Sequence, residues 1–424
     1  MVAATNVAPF VMPGRQLPSW MAGFLEYTAG IQSPIIHRRW SAIATIAGAM
    51  ERKVWLRSQG ENIYPNVYIF LVGPPGTGKT RALMACWRLW NTLEGYHVAE
   101  ISLTKPALID RLSEAKRQVF TGGIEDFNSL LVAAPELGAL LPSYDSDFMN
   151  TLTHLYDGHL YTERRRTAKQ DFQPIMNPNV NLIACTTPGF LTSAMPASAW
   201  NEGFLSRVCI AYSGEVEIKE FDLAESNPQH GDNRLRLALI HDLRKISERT
   251  GKMSWTERAI ATAEEYNRRE FDIVTDSGIP ILPKPTHPRL MHYNTRRPVH
   301  FLKLCMICAV DRGTEHIDLP DVLSAIDLMV EVEKAMPDVF TAMSSGGDAQ
   351  VITDCIYWVM TENIRAKDEG VPMHLVHEWL SSRAPATHVQ RIFELMVRAK
   401  MIRVLDVPGG YVVKTKPSVI TSAS

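Results

Sequence analysis

The run GPPGTGKT at residues 73–80 constrains this chain more than any other stretch. Gly73, Gly76 and Gly78 let the backbone curl until several N–H groups point at one centre, which makes a cradle for phosphate oxygens. Such a cradle needs a buried strand in front of it and a helix behind. Residues 67–72, VYIFLV, are apolar and mostly β-branched or aromatic, and they predict a buried parallel strand. RALMACWRLWNTLEG then predicts a helix that stops near Gly95. That helix turns the positive end of its dipole toward the loop. The spacing lets Lys79 reach the β- and γ-phosphates of a nucleotide and places the Thr80 hydroxyl on Mg²⁺. Gly73, Pro74, Pro75, Gly76, Thr77, Gly78, Lys79 and Thr80 are therefore candidate nucleotide-binding residues, with ATP and Mg²⁺ as the expected ligand and ion.

The rest of the chain must supply a fold around this loop. Its 424 residues suffice for two or three domains, and 46% hydrophobic with 21% charged residues is a globular balance. Alternating strand-like and helical runs from 67 to 215 predict an α/β core with a parallel sheet. The strand runs are 67–72, 98–101, 130–134, 180–184 and 208–212. Residues 1–66 predict a loose arm and a small helical collar. Residues 216–345 predict a helical lid, with Ser254 and Glu257 as a capping box for one of its helices. SSGGD, residues 344–348, predicts a hinge. Residues 346–424 predict three helices followed by a β-hairpin turning at Pro408-Gly409-Gly410, the order of a winged helix. Its third helix has Val389, Ile392, Leu395, Met396 and Ala399 on one apolar face.

Composition also excludes. Six scattered cysteines predict no disulfide framework and fit a reducing cytoplasm. Cys305 and Cys308 fall on one face of an apolar helical run and predict core thiols, not a metal or redox pair. The N-terminus lacks a basic segment followed by an apolar one, so no signal peptide is expected. No apolar stretch is long enough to span a membrane. Net charge of −2 rules out a polycation, so any nucleic-acid surface must be local.

Hydrolysis of a loop-bound triphosphate needs a carboxylate at a neighbouring strand end. Glu136 after LLVAA is the candidate, both for water and for Mg²⁺, although Pro135 stands where an aspartate is usual. Glu125-Asp126 in GGIEDF competes, but no clean apolar strand precedes it. The strand ending NLIACTTP offers Thr187, with Thr186 next to it, as the polar group near the γ-phosphate. Strand-end capping is the plain alternative for such a threonine. Arg207, just before the strand 208–212, is the candidate arginine finger. Its plain alternative is an ordinary ion pair. Arg296 or Arg297, at the start of a helix in the lid region, could reach back to the nucleotide.

In this order the loop, Glu136, Thr187, Arg207 and a helical segment resemble the AAA+ superfamily. With the collar and the winged helix, the chain resembles AAA+ ATPases of phages and mobile elements that serve as helicases or primase-helicases. The resemblance runs from about residue 17 onward. It implies an oligomeric ring, commonly a hexamer, with ATP between subunits, Arg207 acting on a neighbour's nucleotide, DNA in the pore and a bacterial host cytoplasm. It also implies a pore hairpin ahead of the Thr187 strand. GHLYTERRRTAKQDFQPIMNPN lies there, with 159–166 and 171–176 as arms and Arg164, Arg165, Arg166 and Lys169 as the DNA-contacting cations. A solvated charge run on an edge hairpin is the bland alternative. Arg391 and Arg398 on the third winged-helix segment are second DNA candidates, where duplex could bind, with Lys400, Lys414 and Lys416 nearby. Three functions stay open: an ATP-driven DNA motor, an ATP-switched helicase loader or replication assembly factor, and a protein-remodelling ATPase. The third lacks an aromatic pore loop in this sequence.

Overall fold

The structure, a computed structural model, describes residues 14–141, 144–162, 174–196, 199–200, 203–215, 233–268, 284–285, 287–367, 369–384, 386–398, 401–407 and 410–415. It is a mixed α/β molecule that divides into two compact units, Met1–Val339 and Phe340–Ser424.

The chain enters through α1 (Trp20–Tyr27), capped by the Ser19 hydroxyl on the Ala22 amide, and α2 (Ile35–Met50). Small residues Ala42, Ala44, Ala47 and Ala49 let α2 pack closely on its neighbours, and every residue from Ile36 to Met50 except Arg39 is buried. A short hairpin follows, β1 (Val54–Ser58) with β2 (Glu61–Ile63). Next come β3 (Tyr68–Val72), buried at every position, and α3 (Lys79–Trp90). The Trp90 indole donates to the Thr45 carbonyl and ties α3 to α2. The N-terminal helices thus pack against the α/β core. The physical reason is that α2 is apolar on nearly all sides, and such a helix must be covered.

After α4 (Lys105–Glu114) the chain forms β4 (Lys116–Phe120) and β5 (Ile124–Ala134), then the short α5 (Leu137–Leu140) and α6 (Ser146–Asp157). β6 (Pro178–Thr186), α7 (Pro188–Ala194) and β7 (Val208–Tyr212) complete the core. The five strands lie in the order β4-β5-β6-β3-β7. All neighbours are parallel except β4, which pairs antiparallel with β5. The expected strand at 98–101 is reduced to one parallel bridge, Val98 to Leu131. β4 was not anticipated; KRQVF alternates and stays mostly uncovered, as an edge strand does. Parallel strands buried on both faces read as unbroken apolar runs, and each such side chain contributes about 1.5–3 kcal/mol on burial.

Further helices follow. They are α8 (Asn233–Ser247), α9 (Glu257–Arg268), α10 (Met291–Arg312) and α11 (Leu319–Arg365), with two-residue strands β8 (Gly251–Lys252), β9 (Ser254–Trp255) and β10 (His316–Ile317) between them. Ser254 pairs in β9 with His316, so it cannot cap α9; Thr256 accepts from the Ala259 amide instead. Residues 344–348, expected as a hinge, are helical within α11. Cys305 and Cys308 are buried, unbonded thiols in α10.

The second unit contains β11 (Val371–Pro372), α12 (Met373–Ser381), α13 (Ala386–Arg398), β12 (Ile402–Val407) and β13 (Gly410–Thr415). Its sheet order is β11-β13-β12, and all pairs are antiparallel. The core includes Cys355, Val376, Leu380, Ile392, Met396 and Val413. Leu395, expected in the apolar face of α13, is exposed, and Phe393 takes its place. Ala399, Lys400, Pro408, Gly409 and Lys416 lie outside the described residues.

Candidate nucleotide site

Because β5, β6, β3 and β7 are parallel, their C-terminal ends meet at one edge of the sheet. Val72 pairs with Thr186 on one side and Tyr212 on the other. Ala134 pairs with Ala184, so Glu136, two residues further on, falls at the level of Thr186. The strand β6 lies between the loop strand and the Glu136 strand. Glu125 and Asp126 sit at the other end of β5, where Gln118 donates to Asp126, so they are removed from the loop.

The glycines of the loop have specific reasons. Gly78 has φ +74°, and a Cβ there would lie 1.7 Å from the Gln32 carbonyl oxygen. A Cβ on Gly73 would lie 2.4 Å from the Ser213 carbonyl oxygen. The segment before α2 therefore rests directly on the loop, a neighbour that nothing in the sequence announced. His37 of α2 adds a second tie: its Nε2 lies 3.1 Å from the Val72 carbonyl and so carries the proton. Burial pushes the His37 imidazole down to about 4, which keeps it neutral.

Lys79 is buried inside the loop. Its ammonium donates to the carbonyls of Gly73 (2.8 Å) and Pro74 (2.7 Å) and to the Thr77 hydroxyl (3.0 Å). Burial lowers its pKa. These acceptors hold the cation over the loop, where incoming phosphate oxygens can replace them. Cys185 on β6 faces the start of α3. Burial pushes its thiol up to about 12, eased by Lys79 and by a hydrogen bond with Thr80. Thr80 itself is exposed.

Glu136 is exposed, and its side chain makes no hydrogen bond or ion pair among the described residues; although it occupies the N-cap of α5, its carboxylate caps nothing. The two threonines divide differently from expectation. The Thr187 hydroxyl accepts from the Phe190 amide at 3.2 Å and caps α7. The Thr186 hydroxyl is buried and has no partner among the described residues. At this edge Thr186, not Thr187, holds the uncommitted polar group.

Two arginines lie elsewhere. Arg207 precedes β7 and therefore sits at the opposite, N-terminal edge of the sheet. Its guanidinium grips Asp157 with two nitrogens, Nε at 3.0 Å, and donates to the Gly203 carbonyl at 2.7 Å. Its side chain is only 6% exposed and is engaged in an internal ion pair. Arg297 is likewise internal. It meets both oxygens of Glu333 at 2.7 and 3.0 Å and the Tyr266 hydroxyl at 2.6 Å, clamping α9, α10 and α11 together. Its pKa is raised by Glu333 against the cost of burial. Neither arginine hydrogen-bonds to a residue of the loop among the described residues.

Arg164, Arg165, Arg166 and Lys169 lie outside the described residues. The arms that flank them do pair: Tyr161 and Ile175 exchange both backbone hydrogen bonds, at 3.1 and 3.0 Å. Arg391 and Arg398 are exposed on α13. Among the described residues, no group of three or more His, Cys, Asp or Glu could hold a metal ion. A loop of this type needs none, since one hydroxyl, phosphates and waters complete the shell of Mg²⁺. No described helix is long and apolar enough to cross a membrane. No family model and no curated protein matches the chain.

Proposed function

We propose that the chain is an ATP-driven DNA motor of the AAA+ type, a replicative helicase of a phage or mobile element that acts as a ring. One observation carries the ATPase part: a glycine loop with a buried lysine, a carboxylate without partner and a buried hydroxyl without partner meet at one edge of a parallel sheet. Ligands of open α/β sheets bind at that edge. Loop amides and Lys79 hold the β- and γ-phosphates, and Thr80 ligates Mg²⁺, which neutralises charge developing on the transferred phosphoryl group. Glu136 orients the attacking water and accepts its proton, while Thr186 donates to a γ-phosphate oxygen.

The DNA part rests on the cationic segment 164–169 and on how its flanks connect. β6 begins three residues after Ile175 and ends at Thr186, and all nine of its residues are buried. A rigid strand of that length spans about 30 Å. It joins the base of the cationic segment to the phosphate edge, so a change at one end has a direct mechanical route to the other. The helices α1 and α2 and residues 340–424 serve in this reading as collar and winged helix, the latter recruiting DNA through Arg391 and Arg398.

The second reading is an ATP-switched loader with slow hydrolysis. Pro135 beside Glu136 and the burial of Arg207 in its own subunit favour it, because both remove help that fast hydrolysis uses. Strand displacement on a forked duplex separates the two. Unwinding that requires ATP and falls when Arg165 and Arg166 are changed to Ala, with basal ATPase intact, supports the motor. ATP-dependent DNA binding without unwinding selects the loader.

A further inference from the structure

The N-terminal edge of the same sheet opens onto a cleft of about 790 Å³, bounded by β1 and β2, the end of α6, the start of β6 and one face of α10. Arg52, Arg296 and Lys303 line it, together with Tyr64, Tyr156 and Asp157. The cleft begins where β3 begins, and the nucleotide loop follows the other end of that five-residue strand, about 15 Å away. It is a separate place on the molecule.

Its charges do not balance. Asp157 is taken by Arg207 through two nitrogens, and Arg296 adds a third contact at 3.5 Å. Lys303 is 4% exposed, yet among the described residues its ammonium finds only the Asn66 carbonyl at 2.7 Å and the Asn66 side-chain oxygen at 2.9 Å, with the Tyr156 ring centre at 3.8 Å. Arg52 lies over the Tyr64 ring at 3.9 Å and donates to the Gly158 carbonyl and the Asn177 side chain, both at 3.3 Å. Its Nε is buried without a hydrogen-bond partner among the described residues. Among the described residues neither Lys303 nor Arg52 has a carboxylate within ion-pair distance. Four cations, Arg52, Arg207, Arg296 and Lys303, thus meet two carboxylates here: Asp157, already engaged, and the exposed Glu61, which makes no ion pair with any of them among the described residues. Buried cations are ordinarily paired, because desolvation costs several kcal/mol per ion otherwise.

We propose that this cleft is a second phosphate-binding site, in which Arg52, Arg296 and Lys303 together hold a phosphate group. Two guanidinium forks and an ammonium are the donors that phosphate recognition uses, and the volume suits a group of mononucleotide size. Burial holds the pKa of Lys303 well below its usual value, and a dianion in the cleft would raise it. The half-buried Tyr64 ring, with Arg52 over one face, suits a sugar or base carried with the phosphate. The same chemistry arrives in two forms: a free phosphate or mononucleotide, or the backbone of a nucleic-acid strand. The second is plausible in space because His159 of the cleft wall lies two residues before Tyr161, at the base of the cationic segment.

The test uses the full chain with Lys79→Ala, which removes the loop as a competing phosphate binder. Inorganic phosphate, thymidine monophosphate and a short oligothymidylate are titrated calorimetrically into this protein and into versions that add Arg52→Gln, Arg296→Gln or Lys303→Met. Thermal unfolding of each variant establishes that it is folded. Arg296 is 36% exposed, so its replacement keeps the test open if the buried Lys303→Met variant does not fold. The proposal expects phosphate binding to survive Lys79→Ala and to weaken about tenfold with each cleft substitution. Equal losses for phosphate and the mononucleotide, with the oligonucleotide unaffected, assign a free ligand. Loss for the oligonucleotide, with a salt slope shallower by about one, assigns a strand backbone. Absence of all binding in the Lys79→Ala protein, or binding indifferent to Arg52→Gln and Arg296→Gln in folded variants, overturns the site.

Discussion

The two edges of the central sheet use polar residues in opposite ways. At the C-terminal edge the polar groups are left uncommitted: among the described residues the Glu136 carboxylate has no partner, the Thr186 hydroxyl has none, and Lys79 holds only carbonyls and a hydroxyl of its own loop. At the N-terminal edge they are committed to one another: Arg207 and Arg296 to Asp157, His300 to the Ser206 carbonyl at 3.0 Å, Lys303 to Asn66. The first arrangement is poised for an incoming anion and a water. The second fixes the starts of β3, β6 and β7 against α6 and α10, and leaves Arg52 and Lys303 without a carboxylate partner among the described residues, the excess charge on which the proposed phosphate cleft rests. Substitutions at the first edge should therefore change turnover and spare stability, and substitutions at the second should mostly do the reverse.

The largest effect should come from Glu136→Gln. Loss of the base should reduce ATP turnover by about a hundredfold or more. Affinity for ATP, read by equilibrium binding, should stay within a few fold. Loss of binding together with turnover would mean that Glu136 builds the loop and does not act on water.

Arg207→Ala sharpens the comparison from the other side. It leaves Asp157 without its main partner and should cost about 2–4 kcal/mol in denaturant unfolding, less than a fully buried pair because Asp157 keeps some solvent. Mixing it with Glu136→Gln should restore no ATPase activity, since Asp157 holds the Arg207 guanidinium. Recovery across mixing ratios would return Arg207 to the role of a finger and would require it to leave Asp157.

The smallest effects should separate the two threonines. Thr186→Val removes a buried hydroxyl with no structural partner and should slow turnover about tenfold with little change in unfolding. Thr187→Val removes a helix cap and should cost about 1 kcal/mol with turnover within a few fold. The reverse pattern would move the γ-phosphate contact back to Thr187.

Much of this was legible in the sequence where the signal is local. The strand at Val208–Tyr212 and the helix Met373–Ser381 occupy the residues that their patterns indicated. The loop is flanked by β3 and α3 as its spacing requires. The arginines were not legible, because the carboxylate that captures each one is distant in the chain: Asp157 lies 50 residues from Arg207, and Glu333 lies 36 from Arg297. An arginine reads alike whether it is offered or buried. Thr186 and Thr187 differ by one position, and only the start of α7 decides which hydroxyl is used as a cap. Ser254 and Thr256 posed the same problem two positions apart, settled by the pairing of β9 with β10. Gly346 and Gly347 suggested a break, yet α11 continues through them, because glycine weakens a helix without forbidding one.

The central claim is that ATP bound at residues 73–80 is hydrolysed to work on DNA. Steady-state ATP turnover, measured with and without single-stranded DNA for the wild-type chain and for Lys79→Ala, tests it most directly. The account predicts wild-type turnover that rises when DNA is added, and Lys79→Ala turnover lower by about a hundredfold or more under both conditions. Wild-type turnover indifferent to DNA, or a Lys79→Ala protein that hydrolyses ATP like the wild type, would contradict it.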